Sequence, residues 1–421
     1  MNKKYFLITL VNLLIAGSLG VLLRYMSIAP TGLNFRYIVH AHSHVAFLGW
    51  AYMAFFLLIL YLFLPEKFSS DKSYKWMFWL NQISVVGMLV AFPLQGYALY
   101  SIAFSTLHIF LSYWFAFKLN KDLKTSPVKS KTAINFIKGA LLFLVISSIG
   151  PFGLGIIMAK GLADSPIYDL AIYYYLHFQY NGWFIFSALG ILFKLFEQHA
   201  ITFPERKSNL FFKTYFYSNF PAFLLSALWL ETSAAVNVTA FVSALVQLLG
   251  TFWLVHMVQK FWKPMLAKLN NNETLLLKIA LASFILKNAL QFLSSFVIIF
   301  QIRHFIIGYL HLTLIGCISL FLISVASNLK FNTLKGYWAN AAVWLIASGY
   351  ILSEIMLFAQ GTSFWLQSGI IPFYDQSIII SSLLMPVGFL IICIAGVFKL
   401  FYSKPCQPTP NFQHEIDYVN K

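Results

Sequence analysis

Charge is scarce in this 421-residue chain: 10% of its residues are Asp, Glu, Lys or Arg, and only 13 are acidic. An ordinary soluble domain carries about a quarter charged residues, so that class is excluded. Cysteine is scarcer still, at three. Cys317 and Cys393 lie in apolar runs and Cys406 near the C-terminal end, with no CxxCH anywhere. Covalent c-type haem attachment, a cysteine-based zinc site and an iron–sulfur cluster are therefore excluded. No Walker or GxGxxG fingerprint sits in a strand–helix context, which argues against Gly-rich phosphate chemistry. No stretch is long enough to form a separate soluble domain.

Apolar runs fill the space instead. Hydrophobic residues make up 60% of the chain, and its length accommodates about a dozen spans of roughly 20–28 residues. Hydropathy predicts twelve, near 5–27, 36–63, 75–95, 98–118, 135–159, 168–196, 211–231, 237–261, 274–300, 304–328, 336–358 and 377–402. The expected fold is an all-α polytopic membrane bundle over 1–403 with a short tail, 404–421. The N-terminal MNKKYFLITLVNLLIAGSLG has the basic start and apolar core of a signal peptide, but no convincing small-x-small cleavage site. It is expected to stay as span 1.

The net charge of +16 alone would suggest nucleic acid, but its placement alternates between loops. One side receives Lys3, Lys4, Lys67, Lys72, Lys75, the run from Lys118 to Lys138, Lys194, Arg206, Lys207 and Lys213. Lys260, Lys263, Lys268, Lys278, Lys330, Lys335, Lys399, Lys404 and Lys421 follow on that side. The other side receives only Arg24, Arg36, Lys160 and Arg303. This is the positive-inside pattern. It predicts a multi-pass protein of a bacterial-type cytoplasmic membrane with both termini cytoplasmic, a lipid-bilayer partner and no nucleic acid. Lys287 alone is left in mid-membrane, as a snorkelling or paired structural lysine.

The segment HAHSHVAFLGW at 40–50 puts three histidines at the start of an apolar run. Ionisable groups are expensive there, so a metal ion or a haem iron is the expected holder. Spans 2, 4, 6 and 10 all run inward from the outer face. At about 1.5 Å rise per residue, His40, His42, His44, His108, His177 and His311 fall roughly 7–15 Å below that face. His304 sits at the rim of this layer, whereas His199, His256 and His414 do not join it. His40 and His44 share a helical face and can ligate one metal together. His42 and His44 point about 200° apart and can serve sites on opposite sides of the helix. Tyr175, Gln179, Tyr180 and Asn181 surround His177 in sequence. Glu231 and Glu354, near outer helix ends, read as relay groups or as rim residues facing water.

The run His42-Ser-His44-Val-Ala-Phe-Leu-Gly49-Trp50 resembles the HxHxxxxG-aromatic signature of the haem-copper oxidase and nitric oxide reductase catalytic subunits. It is equally similar to the HxHxxxxGY segment of the NnrS family, polytopic haem-copper proteins associated with nitric oxide stress. The resemblance implies a bundle like cytochrome oxidase subunit I, with haems in the outer half of the membrane. It also implies His42, His44, His177 and His311 as cofactor ligands. Arg36 and Arg303, just outside histidine-bearing spans, become candidates for pairing with haem propionates. The metal-ligand candidates are His40, His42, His44, His177, His304 and His311. Non-covalent b-type haem is the expected cofactor, with copper as the second candidate. Gly49 and Gly308 are expected to open a slot for it.

There are departures from that family. Its double-histidine motif falls on span 10, not span 2, and span 7 (PAFLLSALWLE) lacks its copper-ligating histidine pair. Lys287 on span 9 does not match the oxidases' proton-channel lysine. A complete three-histidine copper site is not visible, and oxygen reduction at a binuclear centre is not expected. The functions left are oxidoreductase-type ones: respiratory electron transfer, with other respiratory subunits or a redox donor as partners, or nitric oxide handling. The alternative is a twelve-span secondary transporter. Against it, no repeat relates the two halves, and GPFGLG at 150–155 has no counterpart among the broken helices expected in matching positions.

Overall fold

A computed structural model describes residues 3–296 and 302–402. The tail at 404–421, with Cys406 and His414, and the end of the ninth predicted span lie outside the described residues. Those residues contain helices and turns and no strand. Ten helices are long and apolar enough to cross a membrane, which makes this a multi-pass membrane protein.

Among the described residues the long helices form twelve rods, with a short helix at Pro65–Ser70 beside them. The first four are α1 (Lys3–Tyr25), α2 (Phe35–Phe63), α3 (Lys72–Gln95) and α4 (Leu99–Asp122). Next come α5 (Lys131–Ala159), α6 (166–198), α7 (205–227) and α8 (Ala234–Leu266). The last four are α9 (Asn271–Leu293), α10 (Arg303–Asn328), α11 (Tyr337–Trp365) and α12 (Tyr374–Tyr402). The rods α6 and α7 fall outside the ten apolar helices. Side-chain caps start many of the rods. Asn34, Asp71, Ser130, Ser233 and Asn270 each accept a backbone N–H from the first turn of the helix that follows. The turn between α3 and α4 needs Gly96, whose φ is +64°. A Cβ there would also collide with the Tyr37 ring.

The rods form three consecutive units of four. In each unit the first helix packs against the middle of the second, and the third packs against the fourth. The fourth helix of one unit then packs on the first of the next: α4 on α5, α8 on α9, and α12 back on α1. The ring therefore closes. At its centre α2, α6 and α10 touch one another pairwise. Each of the three widens into a π-helical stretch: Val45–Tyr52, Phe178–Phe184 and Leu312–Ser319.

Each π stretch begins directly after a histidine, and each carries glycine five residues beyond it: His44/Gly49, His177/Gly182 and His311/Gly316. The intervals are 133 residues (44 to 177) and 134 residues (177 to 311). A search for a repeat between halves misses this repeat of thirds. The glycines serve packing. A Cβ at Gly182 would lie 2.5 Å from Phe143 Cβ on α5, and one at Gly49 would lie 2.8 Å from Val85 on α3. A Cβ at Gly316 would collide with Tyr350 and Ser283. Widened turns disturb the i→i−4 ladder, and side chains answer some of the carbonyls. Asn12 Nδ2 donates to Gly49 O at 2.8 Å, and Ser319 Oγ donates to Leu314 O at 2.7 Å. Trp50 Nε1 donates to Ser319 Oγ at 2.8 Å, tying α2 to α10.

Among lipid tails burial gains little, so close packing has to hold the rods together. Aromatic rings supply much of it. Phe55 stacks on Phe184 at 5.8 Å and Phe143 on Phe178 at 5.7 Å, pairs worth about 0.5–1.5 kcal/mol each beyond their area. Large apolar side chains on α8, including Val238, Val242, Leu249 and Phe252, face outward, as a lipid-contacting surface requires.

At the lysine-rich end of the first unit, Asp122 pairs with Lys67 at 2.5 Å and Lys118 at 3.2 Å, and accepts the Tyr74 hydroxyl at 2.8 Å. Lys118 also reaches Asp71 at 2.8 Å. Burial pushes the Asp71 carboxyl up, but the Lys118 ammonium and the Ser73 N–H outweigh it and hold it below its ordinary value. A depressed carboxylate contributes stability above its unfolded pKa, about 3.9, and loses it as pH falls through the folded value. Thermal stability measured against pH should fall below about pH 4, and Asp71→Asn should make that fall shallower. An unchanged acid limb in the variant would contradict the clamp.

Candidate functional site

The histidines are set by the rods that enter the ring's centre, near the end at which α2, α6 and α10 begin. On α2, a two-residue separation sends His42 and His44 to different neighbours. The His42 Nδ1–H donates to Ala16 O on α1 at 2.9 Å, and its ring lies over Gly20, where an added Cβ would sit 3.1 Å from Cε1. The His44 Nδ1–H donates to His40 O at 2.8 Å, and its Nε2 accepts the Tyr97 hydroxyl at 3.3 Å. His40 packs edge-on to the same Tyr97 ring at 4.5 Å. The His44 side is therefore already hydrogen-bonded, whereas His42 has its Nδ1 anchored and its Nε2 unused.

His311 faces a cavity of about 90 Å3 between α1, α2, α10 and α12. Gly17, Gly20 and Arg24 of α1, Trp50 of α2, and Met385 and Pro386 of α12 share its wall. His42 borders it through Ala16 and Gly20. His311 lies within electrostatic reach of His42 and Arg24, and His42 within reach of Arg24. The His311 Nδ1 is sealed from solvent and has no hydrogen-bond partner, an arrangement costly enough to call for an explanation.

His177 sits elsewhere, on a cavity of about 170 Å3 between α6, α7, α9, α10 and α11. Its Nε2–H donates to Asn219 O at 2.8 Å and its Nδ1 accepts from Asn181 Nδ2 at 3.2 Å. Both ring nitrogens are in use. The histidines read from the sequence as one layer are thus divided between separate sites. His304 lies against Phe364 and Tyr374 at ring distances of 5.1 and 5.5 Å. His108 is buried beside Tyr52, its Nε2 unpartnered. Arg36 is exposed, and exposed Arg303 covers the Phe35 ring. His256 is exposed near the far end of α8. Among the described residues no group of three or more His, Cys, Asp or Glu side chains could hold a metal ion. Gly308 packs against Phe358, 3.2 Å from where its Cβ would be.

Three polar groups sit in surroundings that the sequence did not predict. Arg24 read there only as an outer-face charge, yet it lines the His311 cavity. Its lone position at the end of an apolar helix was the available signal. Glu354 is 8% exposed with both carboxylate oxygens unpartnered, and it lies within electrostatic reach of Arg24; Glu231 is exposed. Lys287 neither snorkels nor finds a carboxylate. It is 1% exposed and donates to Gln291 Oε1 at 2.7 Å. Gln291 in turn accepts the Tyr309 hydroxyl at 3.2 Å and donates to Gln247 at 2.8 Å. No protein-family model matches the chain, and no curated protein sequence matches it either.

Proposed function

We propose that this chain is a haem-binding integral membrane protein of the cytochrome oxidase subunit I/NnrS type. On this reading it has twelve spans, both termini in the cytoplasm of a bacterial-type cell, and a role in respiratory electron transfer or nitric oxide handling. The observation that carries it is a membrane-buried cavity lined by His311 and Arg24, with the His42 ring packed against Gly20 of its wall. A closed protein-only metal site takes three or four donors, and the described residues offer no such group. A haem would bring four nitrogens of its own and ask few of the chain, which favours haem over copper here.

The residues fit this use. The Ala16 carbonyl fixes the His42 tautomer and leaves Nε2 for iron, the usual arrangement for a ligating histidine. Ligation or a bound group's polar edge would relieve the unpartnered His311. Arg24 is placed to neutralise a carboxylate at the rim by charge-assisted hydrogen bonds. Gly17 and Gly20 let the Pro386, Phe389 and His42 side chains approach α1 closely. A cavity of about 90 Å3 is smaller than an organic-ligand pocket of roughly 300 Å3 or more, so loading requires the helices around it to part. When bound, the haem supplies one-electron chemistry; the chain orients it, excludes water and balances its charge. Protein purified from haem-replete cells should be coloured and carry stoichiometric b-type haem. A colourless, metal-free preparation would favour transport.

A further inference from the structure

The threefold repeat relates the two cavities position by position. Each lies where the second helix of one unit meets the first two helices of the next. His177 corresponds to His311, and the 267-residue interval (44 to 311) carries His42 onto Tyr309 and Arg24 onto Gln291. Tyr309 and Gln291 both line the larger cavity. The second cavity therefore repeats the first with its second imidazole and its cation replaced by neutral groups.

Its chemistry follows from what lines it. None of its lining residues is Lys, Arg, Asp or Glu, so it offers no counter-ion and suits a neutral occupant. His177 has both nitrogens engaged, and Gln291 is held by Lys287, Tyr309 and Gln247, so these form fixed walls. The rings of Tyr180, Phe305, Tyr309 and Phe358 border the space. At about 170 Å3 it is comparable to a cavity of about 150 Å3 that accepts benzene. Tyr180 is 8% exposed, and its hydroxyl is neither hydrogen-bonded nor sealed among the buried unpartnered atoms. It remains available as a donor, with the Ser226 hydroxyl on the same wall. Leu290, Ser294 and Ile306 on the rim are half-exposed, giving access from the lipid side.

We propose that this cavity is a second binding site, for the single-ring head of a membrane-soluble quinone. The rings border the planar head, and Tyr180 donates to a carbonyl oxygen. The site stands apart from the haem proposal, because no residue on its wall is needed to hold iron.

The test is titration of the protein in lipid nanodiscs with a decyl-tailed benzoquinone. Quenching of tryptophan fluorescence reports it, Trp229 lying 6.5 Å ring to ring from Tyr173 on the cavity wall. Saturable quenching is expected. Ala222→Phe, which fills the cavity, should abolish the saturable part, and Tyr180→Phe should weaken binding about tenfold. Quenching that rises linearly with quinone, or saturates identically in both variants, would overturn the proposal. The readout uses no haem signal, so failure here leaves the haem reading intact, and failure of haem binding leaves this one intact.

Discussion

Replacing either His42 or His311 with alanine should strip the purified protein of its Soret absorbance, with haem affinity falling by more than the roughly 10–100-fold typical of losing a mere supporting partner. Both variants should still be made and inserted. His42 contributes one hydrogen bond to the fold, to Ala16 O, and His311 has an unpartnered Nδ1. His177→Ala is expected to behave in the opposite way. It removes two buried hydrogen bonds, to Asn219 and from Asn181, so it should lower stability while leaving the absorbance of the surviving protein. His44→Ala should likewise keep the absorbance. Arg24→Ala should weaken binding about tenfold or more, the loss of a charge-assisted hydrogen bond. Equal loss of haem from all four histidine variants would point to general misfolding.

The largest structural effect is expected at the π stretches. Gly182→Ala would bring a Cβ to 2.5 Å from Phe143 Cβ and 2.7 Å from its Cγ. Phe143 is fully buried and in contact with Phe178, Phe186, Phe216 and Phe220, so it has little room to yield. Overpacking of this kind costs about 1–3 kcal/mol. Leucine at the same position should prevent assembly. Gly153→Ala is the contrast: nothing lies within 4 Å of its Cβ position. It should be neutral or stabilising by up to about 1 kcal/mol, the helix propensity difference. Thermal unfolding of the alanine variants separates them. Equal behaviour at positions 153 and 182 would show that the glycine repeat has no packing role.

Much of this architecture is written in hydropathy. The second predicted span, 36–63, meets helix Phe35–Phe63, and the sixth, 168–196, meets rod 166–198. Hydropathy predicts the seventh at 211–231, whereas the helix begins at Glu205, a charged start that hydropathy passes over, and its 3-10 continuation ends at Ala227. The opposite facing of His42 and His44 follows from helical geometry alone. Other features leave weaker marks. Histidine and glycine recur every 133–134 residues among apolar side chains that vary freely, so the thirds are visible only once the π stretches align them. Arg24 belongs to a site formed by α12 closing onto α1, a contact between chain ends that no local pattern encodes. The burial of Lys287 is of the same kind, because its partner Gln291 is held in turn by Gln247 on α8 and Tyr309 on α10.

The central claim is that His42 and His311 together hold one haem, and the electron paramagnetic resonance spectrum of the oxidised, purified protein tests it most directly. Two imidazoles on ferric iron give a low-spin signal, and the account predicts that signal in the wild type. It also predicts conversion to high spin in whatever haem a His42→Ala or His311→Ala preparation retains. A wild-type spectrum that is wholly high-spin, or a low-spin signal that survives both substitutions, would contradict it.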